Sequence, residues 1–249
     1  MAPITCPGNT SNDPSHLINF VDKNCVPYTG FELFLFVSGC LLWVFAYGLL
    51  IRNSHRKKYI ELPAIAICSD LAWEITWAAF YTTDMGLVPA IIYKSWLFLD
   101  LFIFWLLLRH GRKQTGNPVF KRLFTPLCFI AVPIFTVIYS SFVHGGYDTP
   151  VGATSAYMAQ QFISVFCILL LLSSTTAENF STHFAWLRSL GTALVAVFFF
   201  FHYTGNYFLN TLGTLSMILD GIFLYLLWKA RKAHKLGISP SAFLSQRVG

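Results

Sequence analysis

Four carboxylates, Asp70, Glu74, Asp100 and Asp220, lie near the middle of hydrophobic segments long enough to cross a membrane. An ionised side chain at that depth costs several kcal/mol or more. A chain keeps such groups where they do chemistry, carry protons or ions, or hold a polar contact between helices. The surrounding composition agrees with a membrane setting: 55% of residues are hydrophobic, 17% aromatic and only 11% charged. A soluble domain carries about a quarter charged residues. The 249 residues therefore read as one all-α, polytopic membrane bundle. The formal net charge of +6 does not point to nucleic acid, because the basic residues fall in short loops between apolar segments.

Seven segments approach the ~20 residues that a bilayer core requires. They run approximately over Glu32 to Ile51, Leu62 to Thr82, Pro89 to Leu108, Leu123 to Val143, Ala156 to Ser173, Leu187 to Tyr203 and Leu209 to Trp228. Pro63 sits in the first turn of the second segment, where proline is tolerated. Basic residues follow the first segment (Arg52, Arg56, Lys57, Lys58), separate the third from the fourth (Arg109, Arg112, Lys113, Lys121, Arg122), open the sixth (Arg188) and follow the seventh (Lys229, Arg231, Lys232, Lys235). The alternate loops, 82–88, 144–155 and 205–210, contain neither Lys nor Arg. The positive-inside rule then places the N-terminus in the lumen or outside the cell and the C-terminus in the cytosol. The expected organisation is a polar lumenal leader over 1–30, a seven-helix catalytic domain over 31–229 and a basic tail over 230–249. The leader has no apolar core of a cleavable signal peptide, so the first helix serves as the insertion signal. Asn9-Thr10-Ser11 would be a lumenal glycosylation sequon. Cys6 and Cys25, both in the leader, could pair in an oxidising lumen or remain free thiols. The other four cysteines read as small packing residues.

At about 100° per residue, Asp70, Trp73, Glu74, Trp77 and Tyr81 fall within an arc of roughly 100° on the second helix. That face carries two carboxyls and three electron-rich rings, and it must look into the bundle. Asp100 lies midway down the third helix, one turn after Trp96. Asp220 lies midway down the seventh, with Gly213 and Ser216 on its face to admit another helix. His202 and Asn206 lie four residues apart at the end of the sixth. All four acids project to similar depth, and a single cavity ringed by carboxyls and aromatics is the economical arrangement. A carboxyl group in a low-dielectric site favours its neutral, proton-bearing form, and two such groups side by side divide into donor and acceptor. Aromatic faces stabilise cations where a nucleophilic side chain would be alkylated. Acid, aromatic box and dry cavity together describe an enzyme that makes and guides carbocations. Trp43, Trp105, Trp186 and Trp228, near helix ends, read as interfacial belt, and Phe198 to Phe201 as lipid-facing bulk.

The Asp70…Trp73-Glu74 pattern, with Asp100 and Asp220, resembles the small integral-membrane terpene cyclases of fungal meroterpenoid and indole-diterpenoid pathways and their bacterial relatives. The resemblance implies a metal-free, class II type cyclisation with no cofactor, in which a terminal epoxide or alkene on a prenyl chain is protonated and internal double bonds close rings. It implies Glu74 and Asp220 as the essential acids, with Asp70 and Asp100 as further catalytic candidates. Trp73, Trp77, Tyr81 and Trp96, with His202 and Asn206, are the substrate-binding candidates. The implied partners are a lipophilic prenylated substrate and the bilayer, with a prenyltransferase and an epoxidase upstream. The membrane would be the endoplasmic reticulum in a fungus or the plasma membrane in a bacterium. The sequence also lacks a DDxxD-type aspartate cluster for binding diphosphate-bound magnesium. A proton-coupled transporter is a rival, but no inverted repeat or paired broken helices are visible. A receptor of the rhodopsin type is disfavoured by the absence of Asp-Arg-Tyr, Asn-Pro-x-x-Tyr and a lysine inside helix seven. A membrane sterol isomerase, which also protonates an alkene, is separable by its products.

Overall fold

The computed structural model describes residues 4–6, 10–12, 16–20, 22, 24–174 and 176–235. The sequon asparagine, Asn9, and most of the basic tail lie outside them. The described residues form seven α-helices: α1 (Gly30–Lys57), α2 (Ala64–Ile75), α3 (Leu87–His110), α4 (Pro118–His144), α5 (Ala153–Ser173), α6 (Thr182–His202) and α7 (Tyr207–Lys235). A two-stranded antiparallel pair, β1 (Ile4–Cys6) and β2 (Thr10–Asn12), precedes them. Six of the helices are long and apolar enough to span a bilayer. The seventh, α2, has 12 residues and runs on through a five-residue π-helical stretch, Thr76–Phe80.

Local chemistry accounts for the helix ends. The Thr29 hydroxyl accepts from the Glu32 N–H, while Glu32 accepts from the Thr29 N–H at 2.6 Å, a capping box that starts α1 ahead of the predicted boundary. Lys58, in the left-handed region at φ 55°, ends it. Asn117 and Ser181 cap α4 and α6 through their side chains.

Helix packing closes a ring. α1 packs on α3 and α6, α6 on α7, α7 on α5, α5 on α2, and α2 on α3. α4 lies outside this ring against α2, and only Phe124, Cys128 and Tyr139 of it are buried. The α1–α6 crossing is close. A Cβ at Gly39 would come within 2.8 Å of the Gly191 carbonyl, and one at Gly191 within 2.9 Å of the Gly39 carbonyl, so only glycine allows this approach. Gly213 similarly admits Ala196, at 3.3 Å from a Cβ placed there. Of the Phe198–Phe201 run, Phe201 is exposed as expected of lipid-facing bulk, whereas Phe198 and Phe199 are buried against Tyr28 and Tyr157. The helix turns them inward, which a run of identical residues does not reveal.

The leader is folded onto one end of the bundle. Asn19 bonds through its backbone N–H to Met85 and through its side chain to the Asp84 carbonyl, and the N–H groups of Leu87 and Val88 bond to His16 and Leu17. Cys25 is in a disulfide. The side chain of Cys6, its candidate partner, lies outside the described residues. Cys40, Cys68, Cys128 and Cys167 are free and buried, as packing residues should be. At the opposite end Glu61, in the α1–α2 loop, ties the end of α1 to the start of α6. It accepts from the Ser181 N–H at 2.5 Å and the Asn53 side chain at 3.5 Å, beside Lys57 and Arg231.

Candidate active site

The ring surrounds a cavity to which five helices contribute. α1 supplies Trp43 and Tyr47, α2 supplies Asp70, Trp73 and Glu74, and α3 supplies Trp96. Ala156, Tyr157 and Gln160 of α5 and Thr192 and Val195 of α6 close the far side. Asp70 and Glu74, four residues apart, lie on one face of α2, and Asp100 of α3 meets them. One carboxylate oxygen from each of the three falls within 4.8 Å of the others. Glu74 and Asp100 are almost fully buried, and one oxygen of each, Glu74 Oε2 and Asp100 Oδ2, has no hydrogen-bond donor. A proton on one of these carboxyl groups would serve both, since a carboxyl can donate to a neighbouring carboxylate. The Tyr47 hydroxyl donates to Asp70 at 2.5 Å and lies 3.4 Å from Glu74. Trp96 Nε1 and Thr192 Oγ1, both on the cavity wall, also lack partners and could bond a substrate oxygen. The three carboxylates are close enough to hold one cation, and a divalent ion would complete its shell with water or substrate oxygens.

Trp73 and Trp96 stand where the sequence reading placed them, 6.2 Å apart as ring centroids, with Tyr93 between in edge and stacked contacts. Trp77 and Tyr81 do not line the cavity. The π stretch, seen in the Tyr81 N–H bonding to Thr76 five residues back, breaks the 100° phase on which the placement of Tyr81 rested, whereas Trp77 shares Ser155 with Trp73 but lies one turn beyond the cavity wall. Trp77 packs on Gly152, and Tyr81 bonds to the Ser140 carbonyl. His202 and Asn206 are also elsewhere. His202 is stacked on Tyr28 at 4.2 Å, between Asp22 and Glu32 at 3.7 and 3.5 Å, under the leader. Asn206 bonds to the Leu209 N–H in the α6–α7 turn. Trp43, read as belt, is on the cavity wall instead, while Trp105, Trp186 and Trp228 are exposed on the outer surface.

Asp220 is buried but is not among the residues of the cavity wall. Its Oδ1 accepts from Arg188 at 2.8 Å and from Ser164 at 2.7 Å. Arg188, read from the sequence as a basic residue opening the sixth helix that orients the chain, is instead well inside α6 and fully buried, its guanidinium 5.0 Å from the Phe223 ring. Ser164 in turn accepts from Gln160, which reaches the cavity. Tyr47, Arg188 and Gln160 were missed by sequence reasoning. An arginine six residues into an apolar helix was the one available signal, and it was assigned to topology.

Comparison with known proteins identifies the family. The model of the Pyr4-like transmembrane terpene cyclases matches residues 25–233. The chain belongs to this family. Among curated proteins, the Pyr4-family terpene cyclase mfmH of Annulohypoxylon moriforme is 24% identical over 200 residues, covering 78% of this chain and 81% of that protein. The terpene cyclase cle7 of Aspergillus versicolor is 27% identical over 73 residues, 29% and 30% of the two chains. The terpene cyclase esdpB of Penicillium shearii is 24% identical over 81 residues, 32% and 33% of the two chains. No solved structure matches. This Pyr4-like cyclase is an integral membrane protein, and a lipophilic prenyl substrate follows from its family.

Proposed function

We propose that the protein cyclises the prenyl chain of a meroterpenoid-type lipid by protonating a terminal epoxide or alkene, without a metal or other cofactor. The observation that carries this reading is the buried Asp70–Glu74–Asp100 triad opening on a wall of aromatic rings. Glu74 is the proton donor. It faces the cavity and keeps an oxygen with no protein donor, and Asp100 stands behind it. Asp70, engaged by Tyr47, is the acceptor of the pair. As the proton moves to the epoxide oxygen, the C–O bond opens and the carbon becomes cationic. A proton on Asp100, and the single Tyr47 hydroxyl proton turning from Asp70 toward Glu74, then stabilise the charge left on Glu74. Each ring closes as an internal double bond attacks the cation, and loss of one proton ends the sequence, so substrate and product are isomers. Trp43, Trp73 and Trp96 present faces that stabilise the cation and exclude water, which would quench it.

Upstream, a prenyltransferase and an epoxidase would supply the substrate. The basic ends of the helices favour a cytosolic C-terminus, and a fungal host would place the protein in the endoplasmic reticulum. The test is mass spectrometry of membranes containing the protein, given an epoxidised farnesyl-bearing substrate. A cyclic product of unchanged mass is expected from the wild type and none from Glu74→Gln, which keeps shape and removes the acidic proton. Normal turnover by Glu74→Gln would remove Glu74 from the role.

A further inference from the structure

Asp220, Ser164 and Gln160 form a chain whose hydrogen-bond polarity is dictated from one end. Asp220 is paired with the fully buried Arg188 at 2.8 Å, so its carboxylate only accepts. Ser164 has one hydroxyl proton, and it goes to Asp220 Oδ1 at 2.7 Å. Ser164 therefore can only accept from Gln160, and the Gln160 amide must turn its Nε2 toward Ser164, 3.1 Å away. The other end of the same amide, the Oε1 carbonyl, is left for the cavity that Gln160 lines. The two ends of a glutamine amide carry opposite partial charge, and nothing but this chain chooses between them.

We propose that Asp220 acts as a positioning residue rather than a proton donor: with Arg188 and Ser164 it fixes the Gln160 carbonyl toward the cavity, where it stabilises positive charge on the substrate across from the acid triad. Protonation starts on the α2–α3 wall, and the cation then travels along the prenyl chain. A carbonyl dipole on the α5 wall holds charge at a distance from the triad without offering a nucleophile strong enough to trap it. Replacing Asp220 by Asn would undo the arrangement even though the shape survives. The new amide can donate to Ser164, which frees the serine proton for Gln160 Oε1 and lets the glutamine present its NH2 group to the cation. The inference rests on the cyclase reading for the cation's origin, but its test does not.

The probe is a farnesyl-length tertiary amine, cationic at neutral pH, compared with its neutral carbon isostere. Binding is followed by tryptophan fluorescence of purified full-length protein in nanodiscs, since three tryptophans line the cavity. Ser164→Thr and Ser164→Val have the same shape and differ only in the hydroxyl. The preference of wild type and Ser164→Thr for the amine should fall about tenfold in Ser164→Val and in Gln160→Met, the scale of one hydrogen bond to a charged group. Binding of the neutral isostere should not change in Ser164→Val, which a merely structural defect would not produce. If the branched side chains overpack the site, Ser164→Ala against wild type makes the same comparison. Equal preference in the hydroxyl-bearing and hydroxyl-free proteins overturns the proposal, as does a wild type with no preference. Cyclisation by a wild type that ignores the charge would leave the cyclase reading standing without this inference. A Ser164-dependent preference in a protein that never cyclises would do the reverse.

Discussion

Removing the Tyr47 hydroxyl tests the triad without disturbing the cavity. Tyr47→Phe keeps the ring, which meets Trp43 edge-on at 5.4 Å, and deletes only one oxygen. That oxygen makes one short bond, to Asp70 at 2.5 Å, and one long contact, to Glu74 at 3.4 Å. The long contact contributes little in the resting protein. A hydrogen bond to a charged group is worth about 1.5–3 kcal/mol. If that bond strengthens as charge develops on Glu74, its loss raises the barrier by the same amount, and turnover falls about 10- to 100-fold. Because the hydroxyl acts on the acids and not on the prenyl chain, the loss should appear in kcat, with KM nearly unchanged. The assay is initial-rate product formation by liquid chromatography and mass spectrometry in membranes with matched protein levels. Turnover within twofold of wild type would refute the role of Tyr47, and a change confined to KM would move the hydroxyl from the acids to substrate binding.

Three further outcomes follow from particular contacts. Arg188→Met leaves Asp220 buried and unpaired and should destabilise the protein by about 3–5 kcal/mol in detergent unfolding, whereas Arg188→Met with Asp220→Leu should recover most of the loss; equal losses in the two would show that the pair is not coupled. Burial pushes the Glu61 carboxyl up from 4.5 to about 7, against the opposing pull of the Ser181 N–H and Lys57. The folded state thus holds a proton there that the unfolded chain releases near pH 4.5, so this contribution, about 3 kcal/mol, is fully present below pH 4.5 and is lost as pH rises toward 7. Glu61→Gln should flatten that part of the stability–pH curve, and an unchanged curve would refute the assignment. Cyclisation should survive EDTA, whereas its loss, with recovery on adding a divalent ion, would make the carboxylate triad a metal site.

Helix number and the shared inner face of Asp70 and Glu74 were legible because they depend on local periodicity and on the cost of charge in hydrocarbon, whereas the expected cavity ringed by all four acids was not, since Asp220 is held by Arg188 away from the cavity wall. Asp70 and Glu74 are one turn apart on α2, so their common face needs only a regular helix. Tyr81 required that regularity to continue, and the π stretch ended it. Trp43 and Arg188 were misassigned for a shared reason: position along the chain says nothing of which neighbour covers the residue. Trp43 is covered because Gly191 lets α6 approach α1, and Arg188 because α7 brings Asp220 to it.

By itself the sequence determined that this chain is a seven-helix membrane bundle, that its acids are held inside and that its pattern is that of a membrane terpene cyclase. The helices and the burial of the acids follow from hydropathy summed along single helices, where each residue contributes independently, whereas the cyclase pattern is a resemblance carried by Asp70, Trp73 and Glu74 with Asp100 and Asp220. Only the tertiary structure decided which acids share a cavity and which is bound in an ion pair. Depth along a helix is a one-dimensional property, but the partner of Asp220 depends on the rotation of α6 and α7 about their axes, which is set by packing between segments distant in the chain.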